Sequence, residues 1–243
     1  MAAWGGYPQT VNYSTVNIAK GGGSENLLIN PRGKINQLNE AQGVVAAGQY
    51  FCDGWKAGAA GAEIYVDEDG FRLISGSIVQ LVPNNIEPGR TLRSNMDVIS
   101  GAPLMSINGG TSNEQNAVGD YIHFEVSGNN SKFTRIILAE SAEMPIYQQV
   151  KDELIPCLRF CEVGGAAVIM NTTASNDDAY LFVQFQETKV SAPAVTRTSD
   201  ALTSKTANSS VVLITKNGFY FSKTPATANS NRVGGNFIAD ARP

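Results

Sequence analysis

The sequence predicts an all-β protein: an antiparallel jelly-roll β-sandwich with one short helix, behind a short extended N-terminal leader. Three observations carry that expectation. Apolar residues recur at period two in many short segments, which is strand spacing rather than helix spacing. Gly, Asn, Pro and Asp separate those segments at turn positions. Long helical stretches between the strands, which a parallel α/β fold needs, are missing from the pattern.

Taken in order, residues 1–24 hold Gly5-Gly6, Pro8 and the run Gly21-Gly22-Gly23-Ser24, a leader with little core-forming power closed by a hinge. Trp4, Tyr7 and Tyr13 in it read as docking contacts for a partner chain. Leu27-Leu28-Ile29 reads as the first strand of one sandwich over residues 25–243. "AEIYVDEDGFRLIS" (62–75) places two apolar runs around Asp67-Glu68-Asp69-Gly70, a hairpin signal. "SIVQLV" (77–82), "TLRSNMDVIS" (91–100) and "PLMSIN" (103–108) follow as sequential strands. "YIHFEV" (121–126) alternates cleanly, with Ile122, Phe124 and Val126 on one face and Tyr121, His123 and Glu125 on the other. "FTRIILAE" (133–140) supplies Phe133, Ile136 and Leu138 to the core.

The period then changes. Val150, Leu154 and Leu158 recur at four, which predicts a short helix ended or kinked near Pro156. Strands resume at "AAVIMN", "YLFVQFQET", "PAVTRT", "SVVLIT", "FYFSKT" and "NFIADA". Asn217-Gly218 is the best two-residue hairpin signal in the chain.

A chain of 243 residues buries roughly 70–75% of its unfolded surface and needs no staples. Charged residues make up 16% of it, against roughly 25% in an average soluble domain. Its polar surface must therefore come from Asn, Gln, Ser, Thr and Gly, which suits a sugar-facing protein. The formal charge of −4 comes without a basic stripe, so no nucleic-acid partner is expected. No apolar run approaches the roughly 20 residues of a membrane span, and no membrane insertion is expected. The N-terminus has neither a basic n-region nor an apolar h-region, so synthesis in a reducing cytoplasm is expected. Cys52, Cys157 and Cys161 then read as free thiols.

Little in the residues points to catalysis. His123 is the sole histidine and sits mid-strand, without a G-x-S-x-G elbow, so no Ser–His–Asp machinery is expected. With one histidine a zinc site is not expected either. Glycan hydrolysis needs two separated carboxylates, but Asp67, Glu68 and Asp69 fill a turn and Asp177-Asp178 lie in a loop. Turn chemistry accounts for both groups, with calcium or sugar-hydroxyl binding as the alternative. Trp55, close to Tyr50 and Phe51, reads as core. Tyr180, beside Asn176, Asp177 and Asp178, is the candidate for stacking on a sugar face while the polar groups take its hydroxyls. The expected protein is not an enzyme and uses no cofactor and no metal.

Several stretches, in sequence order, resemble a known family. "NLLINPRGKINQ" (26–37) resembles its Asn-Leu-Leu-Ile-Asn opening, and "YFCDGW" (50–55) its Tyr-x-x-Asp-x-Trp strand. Glu153-Leu154, Cys157 and Arg159-Phe160 match its strand-to-helix segment. "APAVTRTS" (192–199), "NGFYFSKT" (217–224) and "FIADAR" (237–242) resemble its closing strands. Cys161 stands where a second aromatic is usual, and Arg242 where an acidic residue is. Together these resemble the C-terminal receptor-binding domains of bacteriophage tail fibres and appendages.

The resemblance covers residues 25–243. It implies a jelly roll related to carbohydrate-binding modules, assembled as a homotrimer on a phage virion. It also implies adhesion to a bacterial surface polysaccharide or lipopolysaccharide, with the leader docking to another virion protein. A virion decoration or adaptor protein without a glycan partner is the alternative, and a polysaccharide depolymerase a weaker one.

Overall fold

The computed structural model describes residues 25–172, 178–198, 209–223 and 229–243. Among these residues it is an antiparallel all-β sandwich architecture with one short helix, as the alternation predicts. The leader, with Trp4, Tyr7 and Tyr13, lies outside the described residues.

A long hairpin organises the first half. Trp55–Asp67 (β3) turns through Glu68-Asp69 into Gly70–Pro83 (β4), which confirms the hairpin at the acidic turn. Short β1 (Gly43–Val45) and β2 (Tyr50–Cys52) pair with β3. β4 then changes partners along its length. Phe71–Leu73 pair with Ser131–Glu140 (β9), whereas Ser77–Pro83 pair with Tyr121–Ser127 (β8). The change occurs at Gly76, whose φ of 86° lies in the left-handed region. A Cβ there would sit 2.3 Å from the Gly61 carbonyl oxygen, so the bend requires glycine. The sequence reads two strands at 71–75 and 77–82; the protein has one, bent.

The remaining strands of this half are β5 (Thr91–Ser100), β6 (Leu104–Ile107) and β7 (Asn113–Gln115). β9 pairs with β5 and β5 with β7, while β6 pairs with β8. The bent hairpin thus carries the sheet from one layer into the other. Between the layers lie Trp55, Phe71, Phe124, Phe133 and the inward residues of β8 and β9. Trp55 is core, as expected: it is fully buried, its Nε1–H donates to the Asn30 carbonyl at 3.0 Å, and Phe71 meets it edge-on at 5.4 Å.

Leu27–Ile29 is not a ladder strand, which corrects the sequence reading. Its backbone is tied largely by side chains. Asn26 Nδ2 donates to the Ile136 carbonyl, and its Oδ1 accepts from the Leu138 and Leu28 N–H groups. The Gln80 amide then takes both the N–H and the C=O of Ile29. Amide side chains have replaced the ladder.

In the second half, Cys161–Thr172 (β10), Ala194–Arg197 (β12) and Asn229–Asp240 (β15) form one sheet in the order β10-β15-β12. Ala179–Gln184 (β11), Ser210–Val212 (β13) and Gly218–Lys223 (β14) form another in the order β11-β14-β13. Phe185, Phe219, Phe221 and Phe237 form a cluster with residues of both sheets, with Phe219 and Phe237 ring centres 5.0 Å apart. The hairpin signal at Asn217-Gly218 marks a hairpin, but not a two-residue one. β13 and β14 are joined by residues 213–217, and the Thr215 hydroxyl oxygen accepts from the N–H groups of Asn217 and Gly218.

Among the described residues the buried apolar side chains thus form two large clusters, with Ile29, Cys157 and Phe160 as a third at the junction. The helix α1 (Leu154–Leu158) sits there. Pro156 does not end or kink it: proline lies in the first turn, where no intrahelical bond needs its missing N–H. The periodicity of four overstates the helix, since Val150 precedes it and both Val150 and Leu154 are exposed.

Candidate functional site

The outer face of the β11-β14-β13 sheet carries the candidate site. Period-two alternation sends Ala179 and Val183 of β11 inward and Tyr180, Phe182 and Gln184 outward. In β14, Phe219 and Phe221 point inward, leaving Tyr220 and Ser222 outside. Register completes the arrangement: Phe182 lies opposite Tyr220, Tyr180 opposite Ser222, and Val212 of β13 opposite Tyr220 on its other side. Phe182 and Tyr220 have ring centres 5.0 Å apart, and Tyr180 meets Tyr220 edge-on at 6.5 Å.

Tyr180 and Phe182 each keep 48% of their surface in solvent, and Tyr220 is half-buried between them. Three aromatic rings on one exposed sheet face are a costly use of surface, because stable monomers rarely leave such groups contiguous. The planes of Phe182 and Tyr220 differ by 48° and those of Tyr180 and Tyr220 by 85°. The face is therefore ridged, suited to stacking on separate small rings rather than on one flat surface.

Of the sequence candidates, Tyr180 and Asp178 come together: the Tyr180 hydroxyl donates to Asp178 Oδ2 at 3.4 Å. Asn176 and Asp177 lie outside the described residues. Phe182 and Tyr220 were not expected at the site. Their signal was available, because Tyr180 and Phe182 are two apart and Tyr220 alternates with two phenylalanines. What hid it was that "YLFVQF" and "FYF" are apolar on both faces, so alternation alone does not say which face is inside.

The other sequence candidates have structural roles. Lys132 bridges Asp67 and Asp69 at 3.1 and 2.7 Å, and Arg72 also pairs with Asp67. Lys34 donates to the Asp67 and Glu68 carbonyls. Three cations therefore satisfy the acidic turn, and the hydrogen bond from Lys132 holds the Asp67 carboxyl below its ordinary value. Among the described residues, no group of three or more His, Cys, Asp or Glu side chains could hold a metal ion. His123 lies half-buried on the outward side of β8, and its backbone N–H donates to Asn108 Oδ1. The three cysteines are free thiols, as expected, and all are fully buried. Burial pushes all three thiols up, Cys161 to about 12.

These residues define an all-β sandwich protein with an aromatic sheet face. Among the described residues no helix is long and apolar enough to cross a membrane. No family model matches the chain, and no curated protein and no solved structure matches it either.

Proposed function

We propose that this protein is a receptor-binding protein of a bacteriophage tail fibre or appendage, adhering without catalysis to a bacterial surface glycan. The observation that carries the reading is the aromatic cluster on one sheet face, exposed Tyr180 and Phe182 with half-buried Tyr220 between them. Sugar rings present apolar C–H faces on which such rings stack, while Asp178, Gln184 and Ser222 at the edges supply hydrogen-bond partners for hydroxyls. The sparsely charged, amide-rich surface and the ordered resemblance to phage receptor-binding domains support the same reading.

In this reading the protein is a homotrimer on the virion, with Trp4, Tyr7 and Tyr13 of the leader docking to another virion protein. Shallow sugar sites bind weakly, and three on one head gain by effective concentration. The test is a bacterial glycan array probed with the full chain and with Phe182→Ala and Tyr220→Ala. Each substitution is expected to weaken binding by about 0.5–1.5 kcal/mol per site, roughly 2- to 13-fold. Absence of binding to every glycan by the unaltered chain overturns the reading, as does release of oligosaccharide from a bound polymer.

A further inference from the structure

A groove lies on the first half of the molecule, beside β5 and β9. The ladder there is regular from Leu92↔Glu140 to Asn95↔Ile137, then shifts register between Asn95 and Asp97. Beside the shift, Arg135 adopts a φ of 51°, in the left-handed region that a non-glycine residue rarely occupies within a strand. Such outliers persist where the surroundings impose them, and they concentrate at functional sites. Here the outlier accompanies an Arg135 Nη1 to Asp97 Oδ2 contact of 3.0 Å.

The chain after β9 doubles back over these strands. The Ser141 N–H donates to the Thr91 carbonyl, and Asn95 Nδ2 donates to the Pro145 carbonyl. The Tyr147 hydroxyl donates to Glu153 Oε1 at 2.9 Å, and Arg32 holds the same oxygen at 2.8 Å. Between this strap and the sheet opens a groove of about 330 Å³, floored by Ile137 and walled by Asn95, Asp97, Arg135, Ile146, Tyr147 and Gln149. Asn95, Asp97, Arg135 and Tyr147 in its walls are tied before any ligand arrives, which lowers the ordering cost of binding.

The donor set indicates the ligand. Asp97 and Arg135 keep more than half of their side-chain surface in solvent, so an acceptor and a donor stand side by side at the groove. Adjacent hydroxyls match that pair, one donating to the carboxylate while its neighbour accepts from the guanidinium. The two charges offset each other, so an anion gains little there over a neutral group. Ile146, 74% exposed, offers an apolar surface to a ring's C–H face. The volume lies at the low end of small-molecule sites and suits one ring rather than a long oligosaccharide. We infer that this groove is a second carbohydrate subsite, which takes one neutral hexose unit by its vicinal diol. The inference rests on the glycan-adhesion reading and adds a site on the other half of the chain from the aromatic face.

The test is saturation-transfer NMR on the full chain with methyl α-glucoside, methyl β-galactoside and methyl α-mannoside, and tetrahydropyran as a ring without hydroxyls. At least one glycoside is expected to give signal and tetrahydropyran none. In the Phe182→Ala background, Asp97→Asn is expected to weaken the remaining binding at least tenfold. Arg135→Gly, which suits the backbone at this position, is expected to do the same while melting no lower than the unaltered protein. Phe182→Ala is expected to leave part of the signal, and its combination with Asp97→Asn none. Equal binding by Asp97→Asn and Arg135→Gly in the Phe182→Ala background overturns the subsite, as does complete loss on Phe182→Ala alone; in both cases adhesion through the aromatic face stands. A chain that binds neither these glycosides nor any arrayed glycan overturns both.

Discussion

Arg242, two residues beyond the last strand, reaches Glu40 of the first half, with Nη1 2.7 Å from Oε1. The same guanidinium bonds to Asp240 and lies over the Tyr50 ring at 4.1 Å, with only 6% of the side chain exposed. It spans 202 residues of sequence and ties the second half to the first. Burial by itself disfavours the charge, but the bonds to Asp240 and Glu40 outweigh it and hold the guanidinium above its ordinary value. Arg242→Met leaves part-buried Glu40 without its partner and is expected to cost about 1–3 kcal/mol. Urea unfolding measures it; a loss below 1 kcal/mol would show that the contact does not tie the halves.

Glu40 also sets a pH dependence. Burial raises its carboxyl above the ordinary 4.5, more than Arg242 lowers it, and its Oε2 has no hydrogen-bond partner. A raised acid binds its proton more tightly in the folded state, so its contribution to stability falls as pH rises from the ordinary value through the raised one. Glu40→Gln is expected to remove that fall. Comparing the urea midpoints of mutant and wild type at pH 4 and pH 7 isolates it, because Asp67, held low, acts in the opposite sense in both proteins. An unchanged pH profile in Glu40→Gln contradicts the assignment.

Lys189 is fully buried and pairs with Glu162 Oε2 at 2.5 Å, while donating also to the Leu158 carbonyl at the end of α1. Its ammonium stands 4.6 Å from the centre of the Phe185 ring. Lys189→Met strands the Glu162 carboxylate and is expected to cost about 3–5 kcal/mol, whereas Lys189→Met with Glu162→Gln recovers much of the loss. Thermal melting of the single and double variants measures the coupling. A double variant no better than the single one would mean that the ammonium's carbonyl bonds carry the effect.

The thiols give a readout of integrity. Cys52, Cys157 and Cys161 have no solvent exposure, and burial holds all three in the protonated, unreactive form. A thiol-specific chromogenic reagent is expected to find none in the native protein at pH 8 and all three in denaturant. Rapid labelling of any one in the native state would show that the packing around that thiol opens.

Local sequence carried much of this fold. Alternation in "YIHFEV" placed Ile122, Phe124 and Val126 inside, and the acidic turn at 67–70 made the long hairpin. It failed where contacts distant in sequence override local preference. Leu27–Ile29 has strand residues, yet Gln80, 51 positions away, takes the backbone groups of Ile29 that a neighbouring strand would use. The site was half legible: Tyr180 and Asp178 could be chosen from a loop-edge aromatic beside acids, whereas Phe182 and Tyr220 needed the register of β11 on β14.

By itself, then, the sequence determined the class of elements, their antiparallel turns and the lack of helical layers, because side-chain period and turn chemistry are local properties. The tertiary structure decided how the buried residues divide among clusters, the bend at Gly76, and which face of each doubly apolar strand meets water. Those choices depend on packing and on hydrogen bonds between residues far apart in the chain, which no local pattern encodes.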